Sequence, residues 1–158
     1  QLARAAVAAG PDEYLIAFWN GLEDPPVFGR RVSHRGEPLG PETGFLLSQS
    51  APYARDNPDV GFAGNAYLAI WSGLTTDGAS GFNVYGSHAR PGQDQAADDR
   101  FPIDERNGDT RMEAVKCAPT SHCLVIYEVE ATAYSDDDIQ GRIVRRCEVR
   151  VYLPLVLR

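Results

Sequence analysis

Lysine and methionine are nearly absent from this chain: Lys116 is the one lysine among 15 basic residues, and Met112 the one methionine. Long apolar runs are absent too. No stretch reaches the roughly 18 residues that a membrane-spanning helix requires, and no charged-then-apolar leader stands at the start. Helical patterning is equally scarce, with few apolar–polar runs at the 3.6-residue period, so a helical fold is disfavoured. Basic charge is in deficit: 15 Lys and Arg face 22 Asp and Glu, a net charge of −7, with a pI near 4.9. That balance argues against nucleic acid, whose phosphates call for a basic surface, and against anionic membranes. It suits a domain kept soluble by its own negative charge.

What the chain has is an ordinary apolar fraction of 43%, with 15 Gly and 11 Pro placed between short β-branched and aromatic stretches. This is the pattern of an all-β chain. Its 158 residues are consistent with one domain large enough to bury a core. Gln1 rather than Met opens the sequence, as in a processed mature form or an excised piece. With lysine so scarce, the expected location is extracellular or at the cell surface, after signal-peptide removal.

One strand is written three times. "YLIAF" from Tyr14, "YLAIW" from Tyr67 and "CLVIY" from Cys123 align, placing Phe18, Trp71 and Tyr127 at steps of 53 and 56 residues. Val7, Val60 and Val115 precede those aromatics by 11, 11 and 12 residues, each across a turn, which reads as a repeated hairpin. A second landmark is glycine: Gly29, Gly86 and Gly141, each two residues after Val27, Val84 or Ile139. Further short strands follow at "FLLSQ" (Phe45) and "FPIDE" (Phe101), whereas the third unit runs directly into "CEVRVYLPLVLR". The expected organisation is three tandem four-stranded antiparallel units of roughly 50–57 residues, about 1–53, 54–110 and 111–146, with an apolar C-terminal strand in 147–158. This period falls in the range of β-propeller blades. The recurring aromatics are expected in the core between blades rather than as a sugar-binding row. Trp19, which has no counterpart in the other units, marks a packing or partner surface.

The order of Pro58, Val60, "YLAIW", "VYG" and "FPI" over residues 58–105 resembles the tandem "YLVVW…IYGQR" units of secreted bacterial proteins with β-propeller-like repeats. The other two units retain "YLIAF" with "VFGRR" and "CLVIY" with "IQGR". The ending "VYLPLVLR" is similar to the C-terminal ends of secreted proteins of filamentous bacteria. The resemblance implies a fold and carries no catalytic residues.

Propellers close with four to eight blades, so three leave an incomplete propeller. Either the strands rearrange within the monomer, or several chains combine, or the chain is a piece of a larger array. Unprotected edges template further pairing. The tail (Val149, Val151, Tyr152, Leu153, Leu155, Val156, Leu157) has two readings: it closes its own last sheet in place of a missing fourth strand, or it is donated to the next subunit by β-augmentation. The expectation is a non-enzymatic extracellular subunit, structural or adhesive, that assembles with copies of itself into a fibre or surface layer through its edges and tail. The competing expectation is a propeller-like domain that binds a ligand or glycan, or forms part of a hydrolase.

No residue pattern names a reaction. The histidines His34, His88 and His122 fall in loops or at strand ends, and no G-x-S-x-G nucleophile motif is present. Cys117 and Cys123 flank "APTSH" in the third hairpin and are expected to form a cross-hairpin disulfide, leaving Cys147 over. A zinc site from Cys117, His122 and Cys123 is disfavoured by the spacing. Asp136, Asp137 and Asp138 in "SDDDIQG", like the loop Thr75–Asn83, are read as solvated turns. Calcium is the alternative, since it favours clustered oxygen ligands, but the EF-hand spacing is missing. No other cofactor is expected.

Overall fold

A computed structural model of the chain describes residues 4–19, 26–48, 58–74, 81–97, 100–104, 109–119, 121–130, 138–145 and 151–153. The described residues form strands and turns, without a helix. Strands β1 (Arg4–Ala9), β2 (Glu13–Trp19), β3 (Phe28–Ser33), β4 (Pro38–Leu39) and β5 (Phe45–Leu46) make the first sheet. The second contains β6 (Asp59–Ala63), β7 (Ala66–Leu74), β8 (Phe82–Ala89) and β9 (Phe101–Pro102). The third contains β10 (Asp109–Cys117), β11 (His122–Glu130), β12 (Asp138–Arg145) and β13 (Val151–Leu153). The second and third are antiparallel meanders in chain order; in the first, β1, β2 and β3 follow in order and β4 and β5 both pair with β3. The fold is all-β, three blade-like sheets packed in series.

The sequence landmarks are register positions. Val7 pairs with Ile16, Val60 with Ala69 and Val115 with Val125, so the three valines occupy one place in the three hairpins. Gly29, Gly86 and Gly141 pair with Ala17, Ile70 and Ile126, in each case the residue before the recurring aromatic. The glycine is invariant for a steric reason. The fourth strand lays Phe45 opposite Gly29 and Phe101 opposite Gly86. A Cβ on Gly29 would sit 2.8 Å from the Phe45 ring, and one on Gly86 would sit 3.1 Å from the Phe101 ring. Only a residue without a side chain leaves room for a ring across the strand.

The third unit takes its fourth strand from the tail, the self-closing one of the two readings: Leu153 of β13 pairs with Gly141, the place held by Phe45 and Phe101 in the other sheets. "LPL" from Leu153 thus follows "FPI" from Phe101 in the repeat, with leucine in place of phenylalanine. The third sheet also begins at Asp109, just before the expected boundary at 110.

Side-chain alternation gives each sheet two faces. We call the one directed to the preceding sheet leading and the other trailing. On β7, Tyr67, Ala69 and Trp71 point to the first sheet, where they meet Leu15, Ala17, Val27 and Leu47. Leu68 and Ile70 point the other way, with Val84, into Val115, Val125 and Tyr127 of the third. The middle strand is therefore apolar from Ala66 to Trp71 because both its faces are covered. Trp71 and Tyr127 are fully buried, as expected of core aromatics between blades. Trp19 ends β2 on the covered face and is half-buried.

Candidate functional site

Polar latches join the sheets beside the apolar cores. At the first junction, Glu13 opens β2 on the covered face and is buried. Arg31, opposite Leu15 in β3, donates to both Glu13 oxygens at 2.9–3.0 Å and reaches over to Asp94, between β8 and β9 of the second unit, at 2.9 Å. The Gly92 N–H donates to Glu13 Oε1, and the Tyr67 hydroxyl donates to the Glu13 carbonyl at 2.8 Å. The hydrogen bonds to Glu13 raise the Arg31 pKa further above the ordinary arginine value. Burial pushes the Tyr67 phenol well above its usual pKa, and the negative charge of Glu13 adds to the shift. Gly40 makes space for the Asp94 carboxylate, which a Cβ there would strike.

At the second junction, Asp59 accepts from its neighbour Val60 N–H and, at 2.7 Å, from Val115 N–H of the third sheet. Thr110 donates its hydroxyl to the Phe82 carbonyl. Arg142 of β12 donates from Nε to the Tyr127 hydroxyl at 2.8 Å and from Nη2 to Asp104 at 3.1 Å, with both charged side chains buried. Glu13, Asp59, Asp94 and Asp104 are thus engaged in holding sheets together, and each does so by charge-assisted hydrogen bonds.

Cys117 and Cys123 are joined in a disulfide across the third hairpin, where they are register partners. Zinc ligation by this pair is thereby overturned, because a bonded pair offers no thiolate. The sulfur of Cys117 packs against the second sheet at Gly61. Asp136 and Asp137 lie outside the described residues; Asp138 opens β12 opposite Val129. Among the described residues, no three His, Cys, Asp or Glu gather as a metal would require. His34 stands edge-on to Tyr14, His88 stacks on Phe101, and His122 lies 3.5 Å from the Ser121 hydroxyl; the three are far apart in sequence and belong to different units. The loop 75–80 and the residues Cys147 and Val149 lie outside the described set. So do Leu155, Val156 and Leu157, while Val151, Tyr152 and Leu153 pair with β12 of their own chain, the self-closing alternative for the tail.

The largest unexplained feature is at the two ends of the stack. The leading face of the first sheet carries Val7, Tyr14, Ile16, Phe18, Phe28 and Leu46, aligned by register. The trailing face of the third carries Lys116, Leu124, Ile126, Glu128, Ile139 and Ile143. The exposed large hydrophobics among the described residues are Val7 (62%), Tyr14 (36%), Leu46 (40%) and Ile139 (44%), and all four are on these faces. Their register equivalents inside the stack are covered: Val60 and Val115 for Val7, Tyr67 for Tyr14, and Val27 and Val84 for Ile139. Phe18 shows the same contrast, half-buried and stacked on Phe28 where Trp71 and Tyr127 are enclosed. Sequence reading misses these faces, although aligning the units contains the signal: equal residues at equal positions need equal cover.

No family model matches the chain, and no curated protein matches it. Among solved structures, it is similar to an endo-arabinase from Bacteroides thetaiotaomicron VPI-5482, with a TM-score of 0.60 and 11% identity over 98% of this chain. The chain spans 61% of that protein's length. At this identity the likeness shows a fold of β-propeller type.

Proposed function

We propose that this chain is a non-enzymatic, extracellular propeller module whose function is to dock: its two end faces take up further blades, making it a structural or adhesive subunit. The observation that carries this reading is the confinement of the large exposed hydrophobics to those faces. Apolar surface of this kind marks an interaction site. The engagement of Glu13, Asp59, Asp94 and Asp104 in latches supports a structural role for these acids over a catalytic one. The disulfide is compatible with an oxidising compartment, and the resemblance to secreted repeat proteins supports the same setting. Docking proceeds through sheet faces and not through a donated tail, since Val151–Leu153 pair at home. Sedimentation velocity across a concentration series tests this. Association is expected in the parent chain and its loss in Val7→Glu and Ile139→Glu, with thermal unfolding of the unassociated chain unchanged. A chain that stays monomeric throughout overturns the reading.

A second reading is favoured by the likeness to the endo-arabinase: a carbohydrate-binding propeller, or part of a hydrolase. Binding on a glycan array, or release of sugar from arabinan, would support it. Silence in both assays, with association intact, would leave docking as the function.

A further inference from the structure

Resting on the docking reading, we infer that the partner is a second copy of this chain, and that two copies close head to tail into a ring of six blades. Three blades lie below the range of four to eight in which propellers close, whereas six lie inside it. The contact required already exists twice within one chain. Trailing face meets leading face between the first and second sheets and again between the second and third, with residues at the same register positions in the two cores. The two faces left over are one trailing and one leading, so a third junction of the same kind joins the last blade of one copy to the first blade of the other. A two-fold axis repeats it, and the end faces of the described blades are covered in both copies.

The side chains suit this junction. In the second junction, Val84 and Val115 share one core, and in the first, Val27 and Val60 do. Ile139 holds the place of Val27 and Val84, and Val7 that of Val60 and Val115, so the two most exposed aliphatics of the end faces would complete a third such core. Charge also fits. Arg30 is the register equivalent of Arg142, but it donates to the Glu42 carbonyl within its own blade and needs no acid from a neighbour. The residue of the third unit corresponding to Asp104 is Val156, by the alignment of "LPLV" with "FPID". The ion pair of the second junction is thus replaced on both sides at once. Lys116 corresponds to Gly61, a position whose Cβ would lie 3.6 Å from Val115 Cγ2 in the next blade. In the ring, Lys116 of one copy therefore stands beside Val7 of the other.

Lys116 is the one lysine, and this makes the arrangement testable by chemistry. The variant Val7→Cys, in a Cys147→Ser background, is treated with a short amine-to-thiol cross-linker, and Lys116→Arg serves as a control for the α-amine. Light scattering on the untreated protein is expected to give twice the chain mass of 17.3 kDa. Cross-linking is expected to stop at a covalent dimer, with two links per dimer by mass spectrometry and none in the Lys116→Arg control. Ile139→Arg should halve the mass while circular dichroism shows the strand content retained. A ladder of trimers and higher species would overturn the ring and leave face-to-face docking standing. A monomer that forms no Lys116 link would overturn both.

Discussion

Replacing Asp104 with alanine breaks a buried ion pair, which makes the second junction a quantitative test of how the blades are held. The Asp104 side chain is 0% exposed and that of Arg142 is 9% exposed, with nitrogen and oxygen 3.1 Å apart. Removal of one member of so buried a pair takes from the other its counter-charge at 3.1 Å, a loss of about 3–5 kcal/mol. For a chain of this size that corresponds to a fall in Tm of roughly 10 °C. Replacing both partners by apolar residues of similar volume, Asp104→Leu with Arg142→Met, should recover most of the loss, because the cost of desolvating two charges disappears with them. Recovery is incomplete: the Tyr127 hydroxyl gives up its bond from Arg142, at a cost of about 1 kcal/mol. Urea unfolding followed by the fluorescence of buried Trp71 measures all three proteins, with an unchanged denaturant slope as the check that the unfolded states match. A single substitution costing under about 1 kcal/mol, or a double variant no more stable than Asp104→Ala, would refute the assignment of this pair as a buried, mutually dependent latch.

Alkaline pH should loosen the first junction. The Tyr67 phenol binds its proton more tightly folded than unfolded, so its contribution is complete below the ordinary tyrosine pKa of 10.0. Above that pH stability is expected to fall by about 1.4 kcal/mol per pH unit; thermal melts from neutral to strongly alkaline pH should show the slope, and Tyr67→Phe should flatten it. Gly61→Ala drives a methyl carbon against the Cys117 sulfur. A destabilisation of about 1–3 kcal/mol is expected from such overpacking, and the same substitution made in a Cys117→Ala, Cys123→Ala background should cost far less; equal costs in both backgrounds would show that the disulfide does not press on the second sheet.

How much of this could be read in the sequence follows from what spacing encodes. Hairpin register turns into constant separations, so Val7, Val60 and Val115 and the three glycines announce the blades before any coordinate is known. Hydrophobic alternation is weaker in the middle unit, and that too is legible, because a strand covered on both faces runs apolar over consecutive positions, as from Ala66 to Trp71. The Cys117–Cys123 bond follows from their place at facing strand ends. The fourth strand of the third sheet is harder to see, because leucine stands where the other units have phenylalanine and the ring that explains the glycine is missing. The latches are out of reach of spacing: Arg31 and Asp94 are 63 residues apart, and Arg142 and Asp104 are 38 apart. Their meeting depends on how two sheets are rotated against one another, a quantity no single strand contains. The end faces escape for a related reason, since exposure is a property of the stack and not of the residue.

The middle blade alone has neighbours on both sides, and this sets a gradient of local opening along the chain. In a serial stack, each unit is held by its own strands and by the junctions on either side. The outer sheets have one junction each, so they can open without disturbing the rest, while β7 opens only when everything does. Amide exchange should then be slowest along Ala66–Gly73 and fastest in β1 and β13. Bringing both end faces under cover would remove the gradient, and the terminal strands would exchange as slowly as the centre. Protection at the ends would thereby become a function of protein concentration.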